Sequence, residues 1–265
     1  MLSRVALHCS MAQRCYRYSA RLTVSCGSTG RRWSSRDAAA SASCQPVATS
    51  VHCSTSCSRT EASLGASRAY LHSIASDVVA LQDLFQAFSS DSSVAQNFTQ
   101  CVMRVLNCRD QRNRVFVTGL GKSGAVAQRL ASTLSSISIS SQWIHGGEWV
   151  HGELGGLKHG DMVIIVSHSG RTTELLPLPD MFRKAGCCVM AVVGNGSSPL
   201  SQICDWSIVA PAEDENSCPV PSRSIIVQEA ICNALVQHLI ELMDEGGECL
   251  KNSHPGGAIG AKFAN

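Results

Sequence analysis

Between Arg114 and Gly124 the chain reads RVFVTGLGKSG, and this stretch limits the fold more than any other. Val115, Phe116 and Val117 form a short apolar run bounded by glycine, the pattern of a parallel-sheet strand covered on both faces. Ala125, Val126, Leu130, Ala131 and Leu134 then recur at helical spacing. Strand, glycine-rich turn and helix in that order place the loop amides at a helix N-terminus, where anions are favoured.

Three readings compete for this loop. Gly119, Gly121 and Gly124 match the G-x-G-x-x-G dinucleotide fingerprint, which also wants an acid ending the next strand to hold a ribose. The next strand-like run, Ser140 to Ile144, is followed by His145 instead. Gly121-Lys122-Ser123 echoes a nucleotide triphosphate loop, but Phe116 stands where that motif needs its first glycine. A phosphate or phosphosugar loop remains, beside a merely structural turn.

The 265 residues carry a formal net charge of only +2, so no general attraction to nucleic acid or to a membrane surface is indicated. No run approaches the roughly 18 consecutive apolar residues of a membrane span. Composition shifts near residue 68. Before it the chain is rich in Ser, Ala, Arg and Cys, with Asp37 and Glu61 as its only acids. Such a stretch buries too little apolar surface to offset the entropy of ordering it, so residues 1–68 are expected as a disordered leader and 69–265 as one domain. Arg4, Arg14, Arg17, Arg21, Arg31, Arg32 and Arg36 all precede the first acid, the composition of a mitochondrial or other organelle transit peptide. A disordered cytoplasmic extension, or a start assigned too early, fits the same residues. Of the 14 cysteines, six lie in this leader and none forms a C-x-x-C pair. Zinc ribbons and redox motifs are therefore unsupported, and Cys101, Cys187, Cys188, Cys204 and Cys232 are expected as buried thiols.

Beyond the leader, Ile74, Val78, Leu81, Leu84, Phe85 and Phe88 recur at helical spacing, and Asp91 or Ser92 caps a second helix through Leu106. Both helices are expected to pack on the sheet. After the glycine loop, IHGGEWVHGELGG (144–156) places His145, Glu148, His151 and Glu153 among five glycines. A metal at this cluster is conceivable, yet the spacing is not H-E-x-x-H, and contact with a hydroxylated substrate or a solvated loop fits better. The strand Met162 to Val166 leads into Ser167, Ser169, Thr172 and Thr173, again phosphate-binding material. Glu174 is expected in the first turn of the following helix. Val189 to Val193, Pro199 to Ile203 and Trp206 to Val209 repeat the strand and helix alternation. That grammar gives an α/β fold, a three-layer αβα sandwich around a mostly parallel sheet, with ligands gathered at the carboxyl ends of its strands. A long apolar-striped helix, Ile225 to Met243, and a Gly- and Pro-rich tail containing His254 complete the chain.

GLGKSG (119–124), IHGGEWVHGELGG (144–156), VSHSGRTTE (166–174), VVGNGSSPLSQICDWSI (192–208), SCP (217–219) and SHPGGAIG (253–260) together resemble the sugar isomerase (SIS) domain, of flavodoxin-like fold. Within it they are similar to bacterial arabinose 5-phosphate isomerases, over about residues 72 to 260. The resemblance implies interconversion of an aldose phosphate and its ketose through an enediol(ate), with no metal or redox cofactor. It also implies a homo-oligomer, a dimer or tetramer. Carried over by position, the catalytic set falls on Lys122, Glu174, Glu215 and His254, with Glu213 or Asp214 as alternatives to Glu215. His145 and His151 match substrate-contacting histidines, His145 also a reported metal ligand, and Ser123, Ser167, Ser169, Thr172 and Thr173 match the phosphate-cradling hydroxyls. In relatives the terminal histidine serves a neighbouring subunit's site.

Arg171 stands where the family usually carries an acid, His168 replaces an asparagine, and the segment from Pro219 to Ser224 is shorter. The sequence also stops where many relatives continue into paired CBS domains, so regulation through them is expected to be absent. Two rival functions remain: a phosphosugar-binding regulator without turnover, and a nicotinamide-dependent enzyme. A regulator needs the hydroxyl cradle but has no need of Lys122, Glu174 and His254 together.

Overall fold

The structure, a computed structural model, describes residues 58–213, 220–243 and 253–262. Glu215, Asp214, the SCP segment and the leader up to residue 57 lie outside the described residues. Five strands form one sheet: β1 (Val115–Gly119), β2 (Ser141–His145), β3 (Met162–Val166), β4 (Cys188–Val193) and β5 (Trp206–Val209). Their order is β2-β1-β3-β4-β5 and every pairing is parallel. The register aligns Gly119 with both His145 and Val166, so the loops leaving β1, β2 and β3 emerge side by side. Parallel neighbours need crossover connections, and the helices that supply them cover both faces.

Alternate residues along each strand feed two separate cores. Val115, Val117, Met162, Ile164, Val166, Met190 and Val192 face one layer, formed by α2 (Ser92–Asp110), α3 (Gly121–Ser136) and α6 (Arg223–Met243). Phe116, Val163, Ile165, Val189, Ala191 and Val193 face the other, where α4 (Leu178–Lys184), α5 (Pro199–Ile203) and two 3-10 turns at 149–156 pack. The expected three-layer sandwich is therefore present. Asp91 caps α2 by accepting from the Ser93 amide at 2.8 Å. By length and composition α6 matches a membrane span, but its stripe from Val227 to Met243 packs into the first core.

The strands are fastened at their amino ends by one carboxylate. Asp161, 2% exposed, accepts from the Arg114 and Lys158 amides at 2.9 and 3.0 Å and pairs with the Arg114 guanidinium at 3.0 Å. Its carbonyl takes the Cys188 amide at 3.0 Å, tying in β4.

The first helix, α1 (Ser58–Ser90), runs across residue 69. Glu61, Ala62, Leu64 and Ala66 favour helix whatever the Ser and Arg content around them. Three expectations are corrected. The stripe of α1 does not pack as expected: Ala80 and Leu84 are buried against α6 and α2, while Ile74, Val78, Leu81 and Phe85 are exposed. The helix has two apolar sides, and its neighbours cover one. Cys188 is exposed because it opens β4 at the edge of the covered region, whereas Cys101, Cys187 and Cys232 are buried and Cys204 is half-buried. Finally, Glu174 lies in an irregular turn before α4, because Pro177 and Pro179 delay the helix until Leu178.

Candidate active site

The site is built where the strand order reverses, between the loops after β1 and β3, which is where open parallel sheets take ligands. Gly119 and Gly124 make the first loop possible by contact. A side chain at Gly119 would meet the Val166 carbonyl at 2.8 Å and the Gly124 Cα at 3.2 Å. Gly121, at φ 56°, takes the left-handed conformation that turns the chain into α3. No side chain caps α3 at Leu120, so its first amides remain available at the positive end of the helix dipole.

Across from this loop, residues 167–175 wrap the end of β3. Ser167 and Thr172 share a hydroxyl contact at 3.3 Å, the Gly170 amide bonds the Ser167 carbonyl at 3.2 Å, and the Leu200 amide bonds the Gly170 carbonyl at 3.0 Å. The two loops and the start of α6 enclose a cavity of about 390 Å³. Lys122, Ser123, Ser167, Ser169 and Thr172 line it together with His168 and Ser224, and Leu120, Leu175 and Ile225 supply apolar wall. Five of the sequence-predicted residues are thus gathered on one cavity.

The other predicted residues lie apart from its lining. Thr173 and Glu174 are exposed in the same loop, with the Thr173 hydroxyl donating to Glu174 Oε2 at 2.9 Å. Glu174's own amide and that hydroxyl hold its carboxyl below the ordinary 4.5, leaving it ionised at neutral pH. His145 ends β2 beside Gly119, exposed, its Nδ1 accepting from the Gly147 amide at 3.3 Å. His151 is exposed in the first 3-10 turn. No group of three or more His, Cys, Asp or Glu is placed to hold a metal among the described residues, so His145 gains no co-ligands there. His254 is far from the cavity within its own chain. Ser253 contacts Ser138 at 3.1 Å, beyond the C-terminus of α3, and the 16 residues of that helix separate this end from Lys122 by about 24 Å. Glu213, the described alternative to Glu215, is exposed.

Three further residues shape the site. Trp149, fully buried, anchors the 144–156 loop: its indole N–H donates to Thr118 Oγ1 at 2.9 Å and its ring meets Phe116 and Phe182 edge-on at 5.8 and 4.7 Å. His168 lies in the cavity wall against Gly194, where a Cβ would meet its ring at 2.3 Å, and its buried Nδ1 has no hydrogen-bond partner among the described residues. Gln228, also fully buried, accepts from the Ser123 hydroxyl at 3.1 Å. In the sequence its only signal is a polar residue breaking the apolar stripe of α6.

An open parallel sheet with hydroxyls, a lysine and free helix amides at its switch point defines an α/β domain built to hold a small anion. Residues 109–237 match the family model of the SIS domain. It is 34% identical over 155 residues to arabinose 5-phosphate isomerase KdsD of Pseudomonas aeruginosa, covering 57% of this chain and 47% of that protein. To arabinose 5-phosphate isomerase KpsF of Escherichia coli it is 30% identical over 193 residues, 72% of this chain and 56% of the other. The chain thus spans about half the length of the curated relatives it matches. Among solved structures, E. coli CFT073 c3406 in complex with arabinose 5-phosphate superposes with a TM-score of 0.65 at 28% identity, over 72% of this chain and 98% of that one.

Proposed function

We propose that this chain is a sugar-phosphate aldose-ketose isomerase, interconverting arabinose 5-phosphate and ribulose 5-phosphate. The observation that carries the reading is the cavity that unites Lys122 with the hydroxyls of Ser123, Ser167, Ser169 and Thr172. The hydroxyls and the α3 amides suit a phosphoryl group. Lys122, at the rim, suits an oxyanion that develops beside it. In the forward step a carboxylate removes the proton from C2 of the open-chain aldose, the electron pair moves to make the C1–C2 double bond, and the carbonyl oxygen becomes an enediolate oxygen. Transfer of the O2 hydroxyl proton to O1, with C2=O forming as the abstracted proton returns to C1, gives the ketose. Glu174, ionised near neutral pH, or Glu215 takes the base role, and His254 serves ring opening or proton relay.

His254 reaches such a site only from another copy, since its own cavity lies at the opposite end of α3. Assembly as a dimer or tetramer is therefore part of the proposal. The exposed side of α1 supports it: Leu71, Ile74, Val78, Leu81 and Phe85 alternate by three and four residues, the spacing of a helix-on-helix seam, and Phe85 is 67% exposed. Sugar phosphate is the only small-molecule partner the reading requires.

Proton NMR of the purified full chain with ribulose 5-phosphate in heavy water tests the activity. The expected result is arabinose 5-phosphate carrying deuterium at C2. Absence of turnover with ribulose 5-phosphate and with a panel of hexose phosphates, together with thermal stabilisation by one of them, would replace the isomerase with a phosphosugar-binding regulator.

A further inference from the structure

Gln228 is the one uncharged amide side chain buried in the α6 stripe, set among Val227, Ile231 and Cys232. It is 0% exposed and does not line the cavity, yet it reaches Ser123, which does. As oriented, Oε1 accepts the Ser123 hydroxyl proton at 3.1 Å and the buried Nε2 has no hydrogen-bond partner among the described residues. Two features of this arrangement are costly. A buried N–H donor without an acceptor destabilises the fold, and an apolar side chain of the same size would avoid that cost. A serine whose proton points inward also offers lone pairs to the cavity, the wrong polarity for a phosphate dianion.

One rotation removes the second and lessens the first. Turning the carboxamide half a revolution about its last torsion exchanges oxygen and nitrogen at nearly the same positions. Nε2 then donates to Ser123 Oγ, and the hydroxyl proton is released toward the cavity. The group left without a partner is then an acceptor, which buried sites tolerate better than a donor. We propose that Gln228 sets the donor polarity of Ser123: with Nε2 facing Oγ, the serine hydroxyl is left to donate to a phosphoryl group in the cavity. This rests on the phosphate reading of the cavity given above. It makes Gln228 a positioning residue that acts through Ser123 without touching substrate.

The test is calorimetric titration with inorganic phosphate, which needs no turnover and so is separable from the isomerase assay. Gln228→Glu keeps the shape but leaves an acceptor only, fixing Ser123 as an inward donor. Phosphate affinity is expected to fall about tenfold or more, and with sugar phosphate KM is expected to rise while kcat changes little. Gln228→Met, which removes the donor without adding charge, is expected to weaken phosphate about threefold and decides the matter should the glutamate variant not fold. The methionine effect is expected to vanish when Ser123 is already alanine, and the glutamate effect to shrink to what charge repulsion alone gives. Equal losses in the methionine variant with and without the Ser123 hydroxyl, or no loss in either variant, overturn the proposal. Failure of the unsubstituted chain to bind phosphate overturns it together with the phosphate reading. Loss of isomerase activity alone does not, because the titration is read on phosphate.

Discussion

Lys122 is exposed at the first turn of α3 and contributes little to packing. Lys122→Ala is therefore expected to lower kcat/KM at least about a hundredfold while thermal unfolding changes by less than about 0.5 kcal/mol. Steady-state kinetics beside a melting curve checks both halves, and a large loss of stability would make the lysine structural. Trp149 predicts the opposite balance. Trp149→Phe keeps most of the buried ring but leaves Thr118 Oγ1, itself 0% exposed, without its donor, for a loss of about 1 to 3 kcal/mol in urea unfolding. Glu174 carries a pH test. Its carboxyl is held below 4.5, so a Glu174 base is charged above that value and loses activity only as pH falls beneath it. An acid limb of kcat/KM above pH 4.5 would assign the proton transfer to another group. At this scale the cavity lining was legible wherever one motif supplies it, as with Lys122, Ser123 and the hydroxyls of 167–172. Gln228 and Trp149 were not, because each matters through a partner more than 30 residues away.

Among the elements, strands and short helices are legible because their signals are local. A continuous apolar run such as Met162 to Val166 has one structural outcome when both faces are covered, and the strand spans those residues. The stripe of α1 misleads because helical periodicity reports that a side is apolar and says nothing of what covers it. Asp77, Ala80 and Leu84 turn to the molecule's own core, while Leu71, Ile74, Val78, Leu81 and Phe85 turn away. Val78→Glu combined with Phe85→Glu is expected to reduce the mass measured by light scattering to that of a single chain. Circular dichroism should remain unchanged, since both side chains are exposed. An unaltered mass would place the assembly surface elsewhere.

In the whole molecule, His254 and Lys122 sit at opposite ends of α3 and are assigned to one site only if copies exchange tails. Chains carrying Lys122→Ala and chains carrying His254→Ala should each be inactive alone. Mixed and reassembled, they are expected to regain about a quarter of the native rate, because some sites then pair an intact lysine with an intact histidine. No recovery would return His254 to a role within its own chain, or to none. The sequence order of the motifs carried the family and the layer architecture, but not this separation, which only the path of the folded chain reveals.

The Asp161 fastening of the strand beginnings has a consequence for how such a chain changes over generations. At one rim of the sheet a single buried residue holds the strand beginnings together, its carboxylate bonded to the Arg114 and Lys158 amides and its backbone carbonyl to the Cys188 amide of β4. The opposite rim, with His168 and Arg171, inherits a fixed frame without having to maintain it. An exposed side chain there such as Arg171 can be exchanged without loosening the strand beginnings, so under the proposed function a changed ligand preference is reachable by single substitutions.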